Sequence, residues 1–159
     1  MRRTISLLVL FLAAFTAYGQ RSSLDIDKGN ARLTVDGRPY LILGGELGNS
    51  SASCPEDIEA NMAKVARMGL NTILVPACWD LIEPHEDSFD FSLIDKVLEE
   101  ARRNDLKVVF LWFGAWKNSM SCYAPLWFKE DYRKYPRAYT EEGKPLEIAS
   151  AFSENVFKA

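Results

Sequence analysis

The chain has 159 residues, 48% of them hydrophobic, with 19 basic side chains against 22 acidic ones and a net charge of −3. That length suits one ordinary domain. The acidic balance and the lack of any basic stripe argue against nucleic acid as a partner, and the single histidine, His85, cannot build a metal site alone.

The first predicted element is a leader. Arg2 and Arg3 form a basic start, Ile5 to Phe15 an apolar stretch too short to span a bilayer comfortably, and Ala17-Tyr18-Gly19 a small-residue cleavage pattern. Residues 1–19 therefore read as a signal peptide and residues 20–159 as the mature part, with an uncleaved anchor as the alternative. On this reading the protein is exported, periplasmic or extracellular. No later run is long and apolar enough to span a membrane. Cys54, Cys78 and Cys122 match no zinc spacing; they are three thiols, or one disulfide and a free thiol.

The segment "RLTVDGRPYLIL" predicts a β-hairpin. Leu33 and Val35 alternate with polar neighbours, Asp36-Gly37 supplies the turn, and the second arm runs on as a strand from Tyr40 to Gly45. A helix follows the loop "ELGNSSAS", with Ser53 as N-cap, Pro55 in the first turn and Glu56 at capping-box spacing. Ile58, Met62, Val65 and Ala66 form its apolar stripe and Gly69 ends it. "NTILVPA" reads as a buried strand, continuous and β-branched. Ser92 caps a second helix with the stripe Leu93, Ile94, Val97, Leu98 and Ala101. "KVVFLWF" reads as a third buried strand, a short helical stretch lies near "LWFKEDYRKY", and "SAFSENVFKA" starts another helix. Strands separated by helices at this spacing predict βαβ units with a parallel sheet, in an α/β fold. Ile73, Val75, Val109 and Leu111 are expected on the sheet's inner face. No G-x-G-x-x-G follows any strand, which argues against a nucleotide fold.

In such folds the ligand sits at the C-terminal ends of the strands. Those ends carry Gly44-Gly45-Glu46, Ala77-Cys78-Trp79-Asp80 and the run from Trp112 to Asn118. Flat aromatic faces suit the C–H faces of a sugar ring, while carboxylates and amides suit its hydroxyls. Carbohydrate is therefore the indicated partner, and no cofactor is implied.

The stretch "GLNTILVPACWDLIEPHEDSFDFSLIDKVLEEARRNDLKVVF" resembles the second β–α unit of clan A glycoside hydrolases, and in particular the β-galactosidase-like families 35 and 42. The residues that carry the likeness are Gly69 to Thr72, Trp79, Glu83-Pro84 and Phe89-Asp90-Phe91, joined by Gly44-Gly45 and by Ala124 to Trp127. The resemblance covers roughly residues 30–135. It implies a (β/α)₈ TIM barrel, of which this chain holds about three N-terminal β–α units behind a hairpin. A whole barrel needs about 250 residues.

The resemblance also implies an O-glycosidase acting with retention. In clan A the acid/base glutamate ends strand four and the nucleophile ends strand seven, so both are expected beyond Ala159. Family 35 enzymes place a sugar-contacting Glu at the third strand end, where this chain has Asn118; that departure points to a divergent branch. The substrate-binding candidates are Glu46, Trp79, Trp116, Asn118 and Tyr123. Each has a structural alternative: an ion pair with Lys117 for Glu46, core packing for Trp79, and packing within the third loop for the rest. Glu83 is expected to fix its loop through backbone N–H groups. Phe89 and Phe91 are expected to pack beneath that loop, Trp112 and Trp127 in the core, and His85, Glu86 and Asp87 in solvent. The rival function is a non-catalytic carbohydrate-binding protein on the same barrel.

Overall fold

Two tight turns shape the start of the chain. In the computed structural model, which describes residues 21–117 and 123–159, Lys28-Gly29 has φ values of 48° and 84°, and Asp36-Gly37 has 51° and 73°. Positive φ at both central residues matches the right-handed twist of the flanking strands. The turns connect β1 (Ser22–Asp27), β2 (Asn30–Val35) and β3 (Arg38–Pro39) into an antiparallel sheet. The predicted hairpin is thus the second half of a three-stranded meander. Its second arm is shorter than expected: pairing stops at Pro39, which has no N–H to offer a ladder, and the next strand opens only at Gly44. These strands belong to one compact unit ending at Leu41; the rest, from Ile42 to Ala159, forms another.

The second unit is built on β4 (Gly44–Glu46), β5 (Thr72–Cys78) and β6 (Lys107–Phe113), parallel and in chain order β4-β5-β6. Between them run α1 (Pro55–Arg67) and α3 (Ser92–Arg103), with a single turn, α2 (Trp79–Ile82), directly after β5. Three parallel strands, each beside its predecessor and joined through helices, form the arrangement with which a (β/α)₈ barrel begins.

Both helix starts lie one residue from the predicted cap. Cys54, not Ser53, is the N-cap of α1, and no side chain caps it, so the capping box is not formed. Pro55 at the first helical position sets that boundary. Phe91 is the N-cap of α3, and the Oδ1 of Asp90 accepts the N–H of Ser92 at 2.8 Å. Gly69, at φ 76°, follows α1 as predicted.

Ile58, Met62 and Val65 of α1 and Val97 and Ala101 of α3 close on Ile73 and Val75. Gly45 lies against this core: a Cβ in its place would lie 3.0 Å from Leu70 Cδ1, the far end of a flexible side chain. Ile73 and Val75 therefore face the helices and are fully buried. The expected grouping with Val109 and Leu111 is corrected by the register, which pairs Ile73 with Val108 and Leu74 with Val109. Side chains alternate across a strand, so Leu74, Val109 and Leu111 share the opposite face. The prediction of a buried β6 is corrected as well. Val109 is 42% and Trp112 60% exposed, because β6 is an edge of the described sheet and neither face is fully covered.

The chain closes with α4 (Leu126–Glu130), an unpredicted hairpin of β7 (Arg137–Tyr139) and β8 (Pro145–Ala149), and α5 (Glu154–Lys158). Ser153 caps α5 by accepting the N–H of Val156. Trp79, Ala124, Phe128 and Tyr135 form a second core cluster, separate from the helix-backed one.

Candidate functional site

The sheet delivers its strand ends to one edge of the unit. There the chain leaves β5 through α2 and the acidic stretch up to Asp90. Most of those carboxylates build the loop. Glu83 is 7% exposed. Its Oε2 accepts the indole N–H of Trp79 at 2.7 Å and its Oε1 the backbone N–H of Asp87 at 2.9 Å, while its carbonyl accepts the indole N–H of Trp127 at 3.0 Å. The expected structural role of Glu83 is what these contacts describe, with one indole added to the backbone donor.

Glu86 is not simply solvated. It pairs with Lys134 Nζ at 2.5 Å and accepts from the Tyr135 hydroxyl at 3.3 Å. Lys134 holds its carboxyl below the usual glutamate range. Asp87 sits at φ 60°, closing the tight turn that Glu83 holds from inside. Asp90 is lowered by the N–H of Ser92, and its own N–H donates to Ile82 O at 2.7 Å. Phe89 and Phe91 do not pack beneath the loop. Both are exposed and stack on each other, ring centres 6.1 Å apart and 8° from parallel.

Asp80 is the exception among these acids. Among the described residues its Oδ1 is buried without a hydrogen-bond partner, and burial pushes its carboxyl up, against the pull of Lys129. Such a carboxyl keeps its proton longer folded than unfolded. The contribution of Asp80 to stability is therefore greatest below the ordinary aspartate range and is lost as pH rises through the raised value. Burial, with the Asp80 charge beside it, pushes the neighbouring Cys78 thiol up to about 11, so it stays neutral at pH 7. The backbone N–H of Asp80 donates to Tyr123 O at 2.9 Å, tying the loop after β5 to the one after β6.

Glu46 ends β4 and is exposed; its register partner is Leu74, so it lies on the face away from α1 and α3. Among the described residues no ion pair joins it to Lys117, whose Nζ instead lies 4.3 Å over the Phe113 ring. Tyr123 is half-buried, its ring 5.1 Å from that of Phe113, which is on the same face as Leu74. Trp116 is 60% exposed in the same loop. Asn118 lies outside the described residues. Trp79 is 5% exposed, with Phe128 at 4.9 Å and Trp127 edge-on at 5.7 Å, so its ring serves the core. Trp127 packs there as expected, whereas Trp112 does not.

Sequence reasoning missed an open cleft of about 430 Å³ between the β5–α3 loop and α5. Phe89, Trp112, Trp127, Glu86, Asp87 and Lys134 line it. Trp112 pairs with Ala77, on the helix-facing side of the sheet, so this cleft and Glu46 lie on opposite faces. Its signal in the sequence was the odd–even alternation of β6, which a strand apolar on both faces hides. Among the described residues no group of His, Cys, Asp and Glu side chains could hold a metal ion.

The β5–α3 loop, the helix behind it and the strands on either side fall within residues 51–152, which match the family described as β-galactosidase, glycoside hydrolase family 42. The chain belongs to that family. No curated protein matches it. Among solved structures it is similar to an exo-β-1,4-mannosidase from an Opitutaceae bacterium, strain TAV5, at 21% identity and a TM-score of 0.48, over 60% of this chain and 18% of that one. It is also similar to an endo-1,4-β-mannanase from Rhizomucor miehei, at 16% identity and TM-score 0.45, over 64% and 32%. An endo-glycoceramidase II from Rhodococcus sp. aligns at 21% identity and TM-score 0.47, over 67% and 28%. The family 42 chain thus spans between 18% and 32% of the length of these structures, and at such scores they add no argument beyond the family match.

Proposed function

We propose that this chain supplies the first β–α units of an exported glycosidase of the β-galactosidase kind, which hydrolyses O-glycosidic bonds of oligo- or polysaccharides with retention. The observation that supports this is the family match over the β5–α3–β6 unit, whose loop holds Trp79, Glu83-Pro84 and Phe89-Asp90-Phe91. On this reading a carboxylic acid and a nucleophilic carboxylate about 5 Å apart reside on later strands. Glu46, Trp116, Asn118 and Tyr123 would contribute the near wall of the sugar site, with Trp79 supporting it from below.

The natural reading frame that encodes this chain, expressed whole, is expected to hydrolyse a 4-nitrophenyl β-D-galactoside, releasing the β-anomer first by proton NMR. Turnover of no member of an aryl glycoside panel would sink the reading. Initial release of the α-anomer would keep the glycosidase and reject retention. Export is expected to proceed with cleavage before Gln20. Intact-mass measurement of the exported protein should start at Gln20, and a species starting at Met1 refutes the leader.

A further inference from the structure

We propose that the open cleft between the β5–α3 loop and α5 is a second carbohydrate site, which holds a neutral oligosaccharide on the sheet face opposite Glu46. This goes beyond the catalytic reading above, because a saccharide bound there is held and not cut.

The aromatic rings carry the inference. The cleft encloses about 430 Å³, within the range of small-ligand sites. Phe89 and Trp112 line it and are 59% and 60% exposed. Phe89 stacks on Phe91 through one face, ring centres 6.1 Å apart and 8° from parallel, which leaves its other face free. Trp112 lies 6.5 Å from the buried ring of Trp79. A third ring of the lining, Trp127, is anchored by its indole N–H, which donates to Glu83 O at 3.0 Å. An aromatic patch left in water and rimmed by polar groups marks a binding surface. These rings are already braced by their neighbours, so binding loses little in ordering them.

The polar groups select the ligand. Asp87 lines the cleft and is exposed, and among the described residues its carboxylate accepts no hydrogen bond and joins no ion pair. Asn155 donates through Nδ2 to Lys134 O at 3.0 Å, which leaves its Oδ1 to accept. Lys134 pairs with Glu86 at 2.5 Å, and its ammonium group keeps N–H donors beyond that pair. Donors and acceptors set beside flat apolar rings match the hydroxyls and C–H faces of a pyranose. The lining holds three carboxylates, Glu83, Glu86 and Asp87, against the ammonium groups of Lys134 and Lys158. That balance disfavours an anion and leaves a neutral sugar. The cleft is open along one side, which suits the flank of a chain better than a single enclosed sugar.

The experiment is hydroxyl-radical footprinting, read by mass spectrometry, on the whole natural protein alone and with either of two probes. One is a thio-linked β-1,4-galactotetraose, which resists hydrolysis; the other is tetragalacturonate, its anionic counterpart. Phe89 and Trp112 are expected to oxidise readily in the free protein, and the neutral tetraose at saturation to slow both roughly threefold, as stacking withdraws a ring face from solvent. Phe89 belongs to neither core cluster, so Phe89→Ala leaves the fold intact. It is expected to weaken tetraose binding about tenfold while kcat/KM for 4-nitrophenyl β-D-galactoside stays within about twofold. Rings that resist oxidation in the free protein would mean that other parts of the chain cover the cleft, and overturn the inference. No protection by the tetraose, equal protection by tetragalacturonate, or unchanged affinity in Phe89→Ala overturns it too. A matching loss of kcat/KM in Phe89→Ala also overturns it, because the ring would then serve the reaction site. Absence of turnover by the natural protein sinks the catalytic reading alone, since footprinting needs no activity.

Discussion

Glu83→Ala is expected to lower the thermal midpoint by roughly 10 °C. The substitution removes the acceptor of both the Trp79 indole N–H and the Asp87 backbone N–H, in a place that water does not readily reach. Each orphaned donor costs about 1–3 kcal/mol, and each kcal/mol is worth about 2–4 °C for a chain of this size. Glu83→Gln should recover part of the loss, since its amide oxygen can still accept one of the two bonds while its NH₂ meets a donor. A near-UV circular dichroism melt reads both variants. A Glu83→Ala midpoint within 2 °C of the original would mean that the loop does not depend on this carboxylate.

Phe128→Ala is expected to cost about 3–5 kcal/mol, as for other buried aromatic truncations. Phe128 is 2% exposed, stacked on Tyr135 at 4.4 Å and tilted against Trp79 at 4.9 Å. Its loss leaves a cavity in the cluster that seats the strand-end loops, while the core between the helices and β5 is untouched. Urea unfolding followed by Trp fluorescence measures it. A midpoint shift equivalent to less than 1 kcal/mol would show that α4 contributes little to this cluster. Because Glu83 and Phe128 both hold Trp79, the double variant should fall short of the sum of the two.

The sequence was most informative where one physical signal dominated. The β-branched run from Thr72 to Ala77 could be little else than a strand, and the stripes of α1 and α3 repeat at helical spacing. Caps were legible only to within a residue. Ser53 and Ser92 have the right chemistry, but Pro55 fixes one helix start, and Asp90 serves the other from outside the helix. The single turn of α2 is too short to show a period. β7 and β8 are only three and five residues long, too short to show an alternation, and only Gly143, at φ 79°, marked the turn between them. Facing was the deepest gap. "TILVPAC" is apolar at every position but one, so no alternation reveals whether Ile73 or Leu74 meets the helices. Glu83 could be read as a loop-fixing residue because Glu-Pro limits its backbone, but the surroundings of Asp80, its backbone bond to Tyr123 and the pull of Lys129, come from some forty residues or more away.

The unshifted ladder between β5 and β6 bears on the order of assembly. Its seven pairs, Thr72↔Lys107 to Cys78↔Phe113, join strands separated by one helix and a loop. The core of Ile58, Met62, Ile73, Val75, Val97 and Ala101 is complete once residue 113 has been made. The Trp79 cluster instead waits for Phe128 and Tyr135, with Ala149 and Val156 packed against it. Closing a longer loop carries a larger entropy cost and slows the contact that closes it. A ribosome releasing this chain would thus let the α1–β5–α3–β6 body form first, with Trp79 waiting at its edge. The two clusters then make two cooperative units of unequal standing, and the strand-end loops belong to the later one, which opens first under stress.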